Sequence, residues 1–142
     1  MLFRSKAFPN AEVHATVVAP SFSRWELLSQ RLLSAALSRN DFGIVYDHVV
    51  HLVPDCQKIF EGVRHGERKL ADPALDELLN LIILQSAPAD IAEIEEVKSH
   101  LVREYYKERR RELTIQVQQA ELRSDDKGVA SALQELGQLP IF

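Results

Sequence analysis

Cysteine is almost missing from this chain of 142 residues: Cys56 stands alone, which excludes an intramolecular disulfide framework and fits a reducing compartment. No run of about 18 apolar residues occurs, so no membrane-spanning helix is expected. The opening Met1-Leu2-Phe3-Arg4-Ser5-Lys6 meets charge, and then Pro9, before a signal-peptide apolar core can form; the expected location is cytoplasmic. Glycine is scarce too, and Gly43, Gly62, Gly66, Gly128 and Gly137 form no phosphate-cradling loop. Neither an Asp-x-Asp pair for a divalent cation nor a Gly-x-Ser-x-Gly nucleophile elbow is present. These absences remove the common nucleotide-loop and α/β-hydrolase chemistries.

The remaining composition is that of a folding chain, 46% apolar and 27% charged. At this length roughly two thirds of the unfolded surface can be buried without metal or disulfide staples. The net charge of −4 argues against bulk nucleic-acid affinity, so nucleic acid is expected to be touched only weakly or indirectly.

Proline divides the chain into segments that read as helix. Residues 1–21 are the exception, because Pro9 and Pro20 bracket a β-branched stretch that reads as an arm or linker. Ser23-Arg24-Trp25-Glu26 is a capping box, and the helix it opens runs to about Ser38 with Trp25, Leu28, Leu32, Ala35 and Ala36 on one face. Leu27, Leu33 and Leu37 widen that stripe, as befits the centre of a bundle. Asn40-Asp41 is expected to cap a second helix through Val53, and Pro54-Asp55 a third that Gly62 and Gly66 end. Asp72-Pro73 starts a fourth, rich in leucine and isoleucine.

From Asp90 to Arg123 no proline or glycine intervenes, which predicts one helix of about 34 residues and about 50 Å at 1.5 Å per residue. Its apolar positions fall into two sets, residues 91–106 and 113–122, separated by Lys107-Glu108-Arg109-Arg110-Arg111-Glu112. A helix buried throughout cannot carry such a run, so the second half is expected to leave the bundle. Val129, Ala132, Leu133, Leu136 and Leu139 recur at spacings of three and four after the turn residues Ser124-Asp125-Asp126-Lys127. The expected architecture is all-α: a helical bundle over 22–106, then a long helix and a protruding C-terminal hairpin over 107–142.

Candidate chemistry is thin. His48 and His51, one helical turn apart, with Cys56 five residues on and His65 as a fourth, offer zinc-type ligands for a metal-dependent hydrolase. The competing reading is of polar histidines flanking an apolar face and a cysteine used for packing. The basic run of Lys107, Arg109, Arg110 and Arg111 is the one candidate phosphate track, with Glu104, Glu108 and Glu112 at spacings that can neutralise it.

The order of these features is similar to a known family. Arg24-Trp25-Glu26-Leu27-Leu28 through Leu32–Leu37, Ile59-Phe60-Glu61-Gly62 and the leucine-rich helix at 75–84 resemble the bundle of the C-terminal domain of bacterial DNA primase. Tyr105-Tyr106-Lys107-Glu108-Arg109-Arg110-Arg111-Glu112-Leu113, the acidic turn at Asp125-Asp126 and Ala132-Leu133-Gln134-Glu135-Leu136 resemble its arginine-rich helix and terminal hairpin. The resemblance implies a non-catalytic recruitment module without a cofactor, the end of a larger primase. Its implied partner is the N-terminal domains of the hexameric replicative DNA helicase at the fork. Leu113, Val117, Leu133, Leu136 and Leu139 are expected to stabilise the hairpin, while Arg110, Gln118, Gln134 and Gln138 meet the partner. A helicase-type N-terminal bundle or another self-associating structural module is the alternative.

Overall fold

The computed structural model describes residues 21–141; most of the arm expected at 1–21 lies outside them. Six α-helices are found among the described residues, with no strand. They are α1 (Arg24–Arg39), α2 (Gly43–Tyr46), α3 (Pro54–Arg64), α4 (Pro73–Leu84), α5 (Ile91–Leu122) and α6 (Asp126–Gln138), with a 3₁₀ turn at Val49–His51. The fold is an all-α bundle.

The capping box of α1 is formed in both directions: the Glu26 N–H donates to Ser23 Oγ at 3.1 Å, and the Ser23 N–H donates to Glu26 Oε1 at 2.8 Å. Asn40 ends the helix at φ 51°, a left-handed conformation that lets the Asp41 N–H reach the Ala36 carbonyl at 3.0 Å. Leu32, Leu33, Ala35 and Ala36 are buried, but Leu27 stays 51% exposed, so the core stripe is narrower than its sequence suggests.

The continuous helix expected over 41–53 is not there. It is replaced by the single turn of α2 and the 3₁₀ turn, and α1 supplies the physical reason. Trp25 Nε1 donates to the His51 carbonyl at 2.7 Å, and the Val53 N–H donates to Ser29 Oγ at 3.1 Å. These side chains satisfy backbone groups that a continuing helix would have used, and Val45, Leu52 and Val53 all reach the core. A segment rich in β-branched residues loses little helix propensity by the exchange.

Helix α3 begins with proline at its first turn, as Pro54-Asp55 predicts, and runs through Gly62 rather than ending there. A Cβ on Gly62 would stand 2.7 Å from Leu70 Cδ2, so this glycine makes room for the returning chain. The left-handed turn falls to Gly66, at φ 90°. Asp72 caps α4 by accepting the Ala74 N–H at 2.9 Å, and Asp76 Oδ1 accepts the Leu70 N–H at 2.8 Å.

The core joins α1, α3, α4 and the first half of α5 around Leu32, Phe60, Leu79, Ile94 and Leu101. Polar contacts fasten α5 and its lead-in to α1: Arg31 pairs with Glu93, Arg39 Nη1 donates to the Ala89 carbonyl at 3.0 Å, and Arg24 pairs with Glu104 at 3.6 Å. Past this cluster α5 continues without interruption to Leu122, and α6 packs back along it.

Candidate functional site

The second half of α5 and α6 form a small unit with its own interior. Ser124, at φ 54°, turns the chain, and the Asp125 N–H closes on the Ala120 carbonyl at 2.8 Å. Asp125 then caps α6 by accepting the Gly128 N–H at 3.0 Å. Gly128 sits where the two helices converge, since a Cβ there would stand 3.3 Å from Ala120 Cβ. Leu113, Ala120 and Ala132 are buried in this interior, apart from the main core cluster.

The six-residue apolar gap is explained by ionic contacts across and along the pair. Arg109 lies opposite Glu135, with Nε and Nη2 at 2.8 and 2.5 Å from Oε2, and Nη1 reaches Glu112 at 2.8 Å. Hydrogen bonds to Glu135 and then Glu112 hold its guanidinium pKa above the ordinary value. Arg110 Nη2 donates to the Pro140 carbonyl at 2.7 Å, and Arg111 pairs with Glu108 at 2.9 Å. The run that cannot sit in an apolar core thus receives the polar end of α6.

Two sequence expectations change here. Leu133 does not stabilise the hairpin interior but is 53% exposed, because Ala132 occupies the inner position beside it. Arg110 is half-buried and turned towards the Pro140 carbonyl rather than presented on the outer side. Leu113 is fully buried; Val117, Leu136 and Leu139 are half-buried; Gln118, Gln134 and Gln138 are exposed. Ile115 and Leu122, which the apolar pattern over 113–122 places in the interior set, are also exposed, seven positions apart on one stripe of α5. The outer surface carries no charge from Leu113 to Ala120 or from Gly128 to Gln134, in a chain that is 27% charged. Charged side chains are depleted at the centres of protein interfaces, and these two stretches lack them.

No family model, curated protein or solved structure matches this chain.

The proposed metal ligands do not come together. Among the described residues no three His, Cys, Asp or Glu side chains are grouped to hold a metal ion. His65 is exposed and pairs with Glu61 at 3.5 Å, while Cys56 is fully buried in the core. Burial, reinforced by Asp55 and Glu26, pushes the Cys56 thiol up to about 12, so the start of α3 does not activate it. The hydrolase reading built on His48, His51 and Cys56 loses its ligand set.

His48 and His51 instead join an aromatic cluster where α5 leaves the bundle. Their ring centroids are 5.4 Å apart, and His51 meets Tyr105 edge-on at 5.1 Å and Tyr106 at 6.0 Å. Trp25 closes the other side, 6.1 Å from Tyr105. Burial lowers the pKa of both histidines, helped at His48 by Lys98 and at His51 by His48, against weaker opposing effects of Asp47 and Glu95 on His48. Both rings are neutral in the folded chain at pH 7. Below about 6.5 the unfolded chain takes up these protons before the folded one does, so stability falls as pH drops from 7 towards 5. Thermal melts should show that loss, and His48→Gln with His51→Gln should flatten it; a slope unchanged in the double variant would assign the loss to other groups.

Proposed function

We propose that this chain is a non-catalytic recruitment module of the kind found at the C-terminus of bacterial DNA primase. On this reading it docks the primase polymerase on the N-terminal domains of the hexameric replicative helicase and modulates that helicase. The bundle anchors the long helix, and the outer surface of α5 and α6 makes the contact. The observation that carries the reading is that charge-free surface, with exposed Ile115 and Leu133 set among Gln118 and Gln134, on a helix pair whose buried residues lie outside the main core cluster. The sequence resemblance supplies the partner, and the surface chemistry suits it, because a partner met through apolar and amide groups needs no charge of either sign. In such a module priming takes place at the bacterial fork while the polymerase chemistry resides in another part of the protein.

Titration of the chain with purified hexameric replicative helicase tests this. Saturable binding is expected, and Ile115→Asp combined with Leu133→Asp should weaken it about thirtyfold or more, the size of a hot-spot loss of about 2 kcal/mol. Both side chains are exposed, so the folded chain survives the change. Absence of association, or association that the double variant leaves intact, overturns the mechanism. A stable homo-oligomer without helicase affinity would favour the self-associating module instead.

A further inference from the structure

The basic run of α5 is sorted by its surroundings into two groups. Every carboxylate beside it is already committed: Glu104 to Arg24 at 3.6 Å, Glu108 to Arg111 at 2.9 Å, and Glu112 and Glu135 to Arg109 at 2.8 and 2.5 Å. Arg103, Lys107 and Arg110 have no carboxylate partner among the described residues, and the Arg110 side chain makes a hydrogen bond to the Pro140 carbonyl. Arg103 and Lys107 are exposed. Spacings of four and three residues place all three on one stripe of the helix, with neighbouring side chains about 5–6 Å apart. His100, one turn earlier on that stripe, lies 3.9 Å from Glu96 and marks where the stripe meets the acidic start of α5.

We propose that Arg103, Lys107 and Arg110 form a short track for the phosphodiester backbone of single-stranded nucleic acid. Three uncompensated cations in line on a rigid helix suit a ligand whose negative charges also repeat along a line. A lone phosphate spans too little to engage all three. The exposed Arg103 guanidinium can take a phosphate through paired N–H donors, Lys107 adds a point charge one turn on, and Arg110 offers the N–H groups that its bond to the Pro140 carbonyl leaves over. The stems of Arg103 and Lys107 are exposed and reach solvent without any change in the bundle, while Arg110 joins the track from its half-buried place beside the Pro140 carbonyl. Such a track reads backbone and not sequence, and with three charges on a chain of net charge −4 its affinity is low.

The test is fluorescence anisotropy of a labelled single-stranded DNA oligonucleotide of mixed sequence, titrated with the full chain across a series of salt concentrations. Three phosphate contacts at about 0.7 ions each give a slope of log K against log salt near −2, or about an eighteenfold loss from 50 to 200 mM salt. Arg103→Ala with Lys107→Ala, both at exposed positions, should reduce the slope to about −0.7 and that loss to about threefold. Arg123→Ala with Lys127→Ala removes the same charge from the hairpin turn and should leave the slope near −2. The proposal is overturned by absence of binding, by equal effects of the two double variants, or by equally tight binding of polyglutamate of matched charge. The last result would assign the stripe to acidic protein surfaces.

Discussion

Leu113→Ala is expected to open the hairpin and leave the bundle folded. Leu113 is 1% exposed and is the only large side chain among the three buried residues of that interior; the other two are Ala120 and Ala132. Truncating a buried leucine costs about 2–5 kcal/mol, through lost transfer energy and the cavity left behind. Little stands against that loss. A helix of 13 residues such as α6 is marginal alone, and the Arg109–Glu135 pair, with side chains 31% and 44% exposed, is worth about 0–1 kcal/mol. Hydrogen exchange should therefore show amides of 126–138 losing protection, while the main thermal transition moves by only a degree or two on the usual scale of local against global opening. If the main transition falls together with the α6 protection, the two parts unfold as one and the separate-unit description fails.

Phe60→Ala is expected to act on the whole bundle. Phe60 is fully buried on α3, with Phe42 and Tyr46 edge-on at centroid distances of 6.3 and 5.8 Å and the Arg64 guanidinium 6.0 Å from the ring centre. Its removal takes away the largest fully buried side chain and the aromatic contacts that hold α2 against α3. A loss of about 3–5 kcal/mol follows, which for a chain of this size lowers the melting temperature by about 10–20 °C. Val50→Ala, at a position 59% exposed, is the matched comparison and should change stability by about 0.5 kcal/mol or less. A melt of the Phe60 variant within a few degrees of the parent would mean that this interior collapses around the missing ring, contrary to close packing.

The two variants separate what the basic run already suggests, a core ending near Leu101 and a second interior beginning at Leu113. They also bear on function in different ways. If the hairpin is the docking surface, Leu113→Ala abolishes helicase binding in a chain that still melts normally, whereas Phe60→Ala affects binding only as far as it unfolds the whole.

Some of this is decided locally and is therefore legible in the residues themselves. The capping box at Ser23, the Asp72-Pro73 start of α4, the proline-free course of α5 and the Asp125 turn depend on neighbours within four positions, and each forms as its sequence predicts. The segment over 41–53 depends on partners 24 and 26 positions away, Ser29 and Trp25, which intercept its backbone groups; no periodicity within the segment carries that information. The same holds for the ligand set, since the spacing of His48, His51 and Cys56 says nothing of a thiol directed into the core while the His51 ring meets Tyr105 and the His48 ring meets His51.

The sequence by itself determined the all-α class, most helix starts and the polar interruption in α5, because capping and helical periodicity act over one turn. Only the tertiary structure decided that Ala132 and not Leu133 faces inward, that the cysteine is a core residue, and which cations are neutralised. Scarce glycine and a lone cysteine excluded chemistries; the pairings of Arg31 with Glu93, Arg24 with Glu104 and Arg109 with Glu135 are matters of distance between helices, and those distances exist only once the chain has folded.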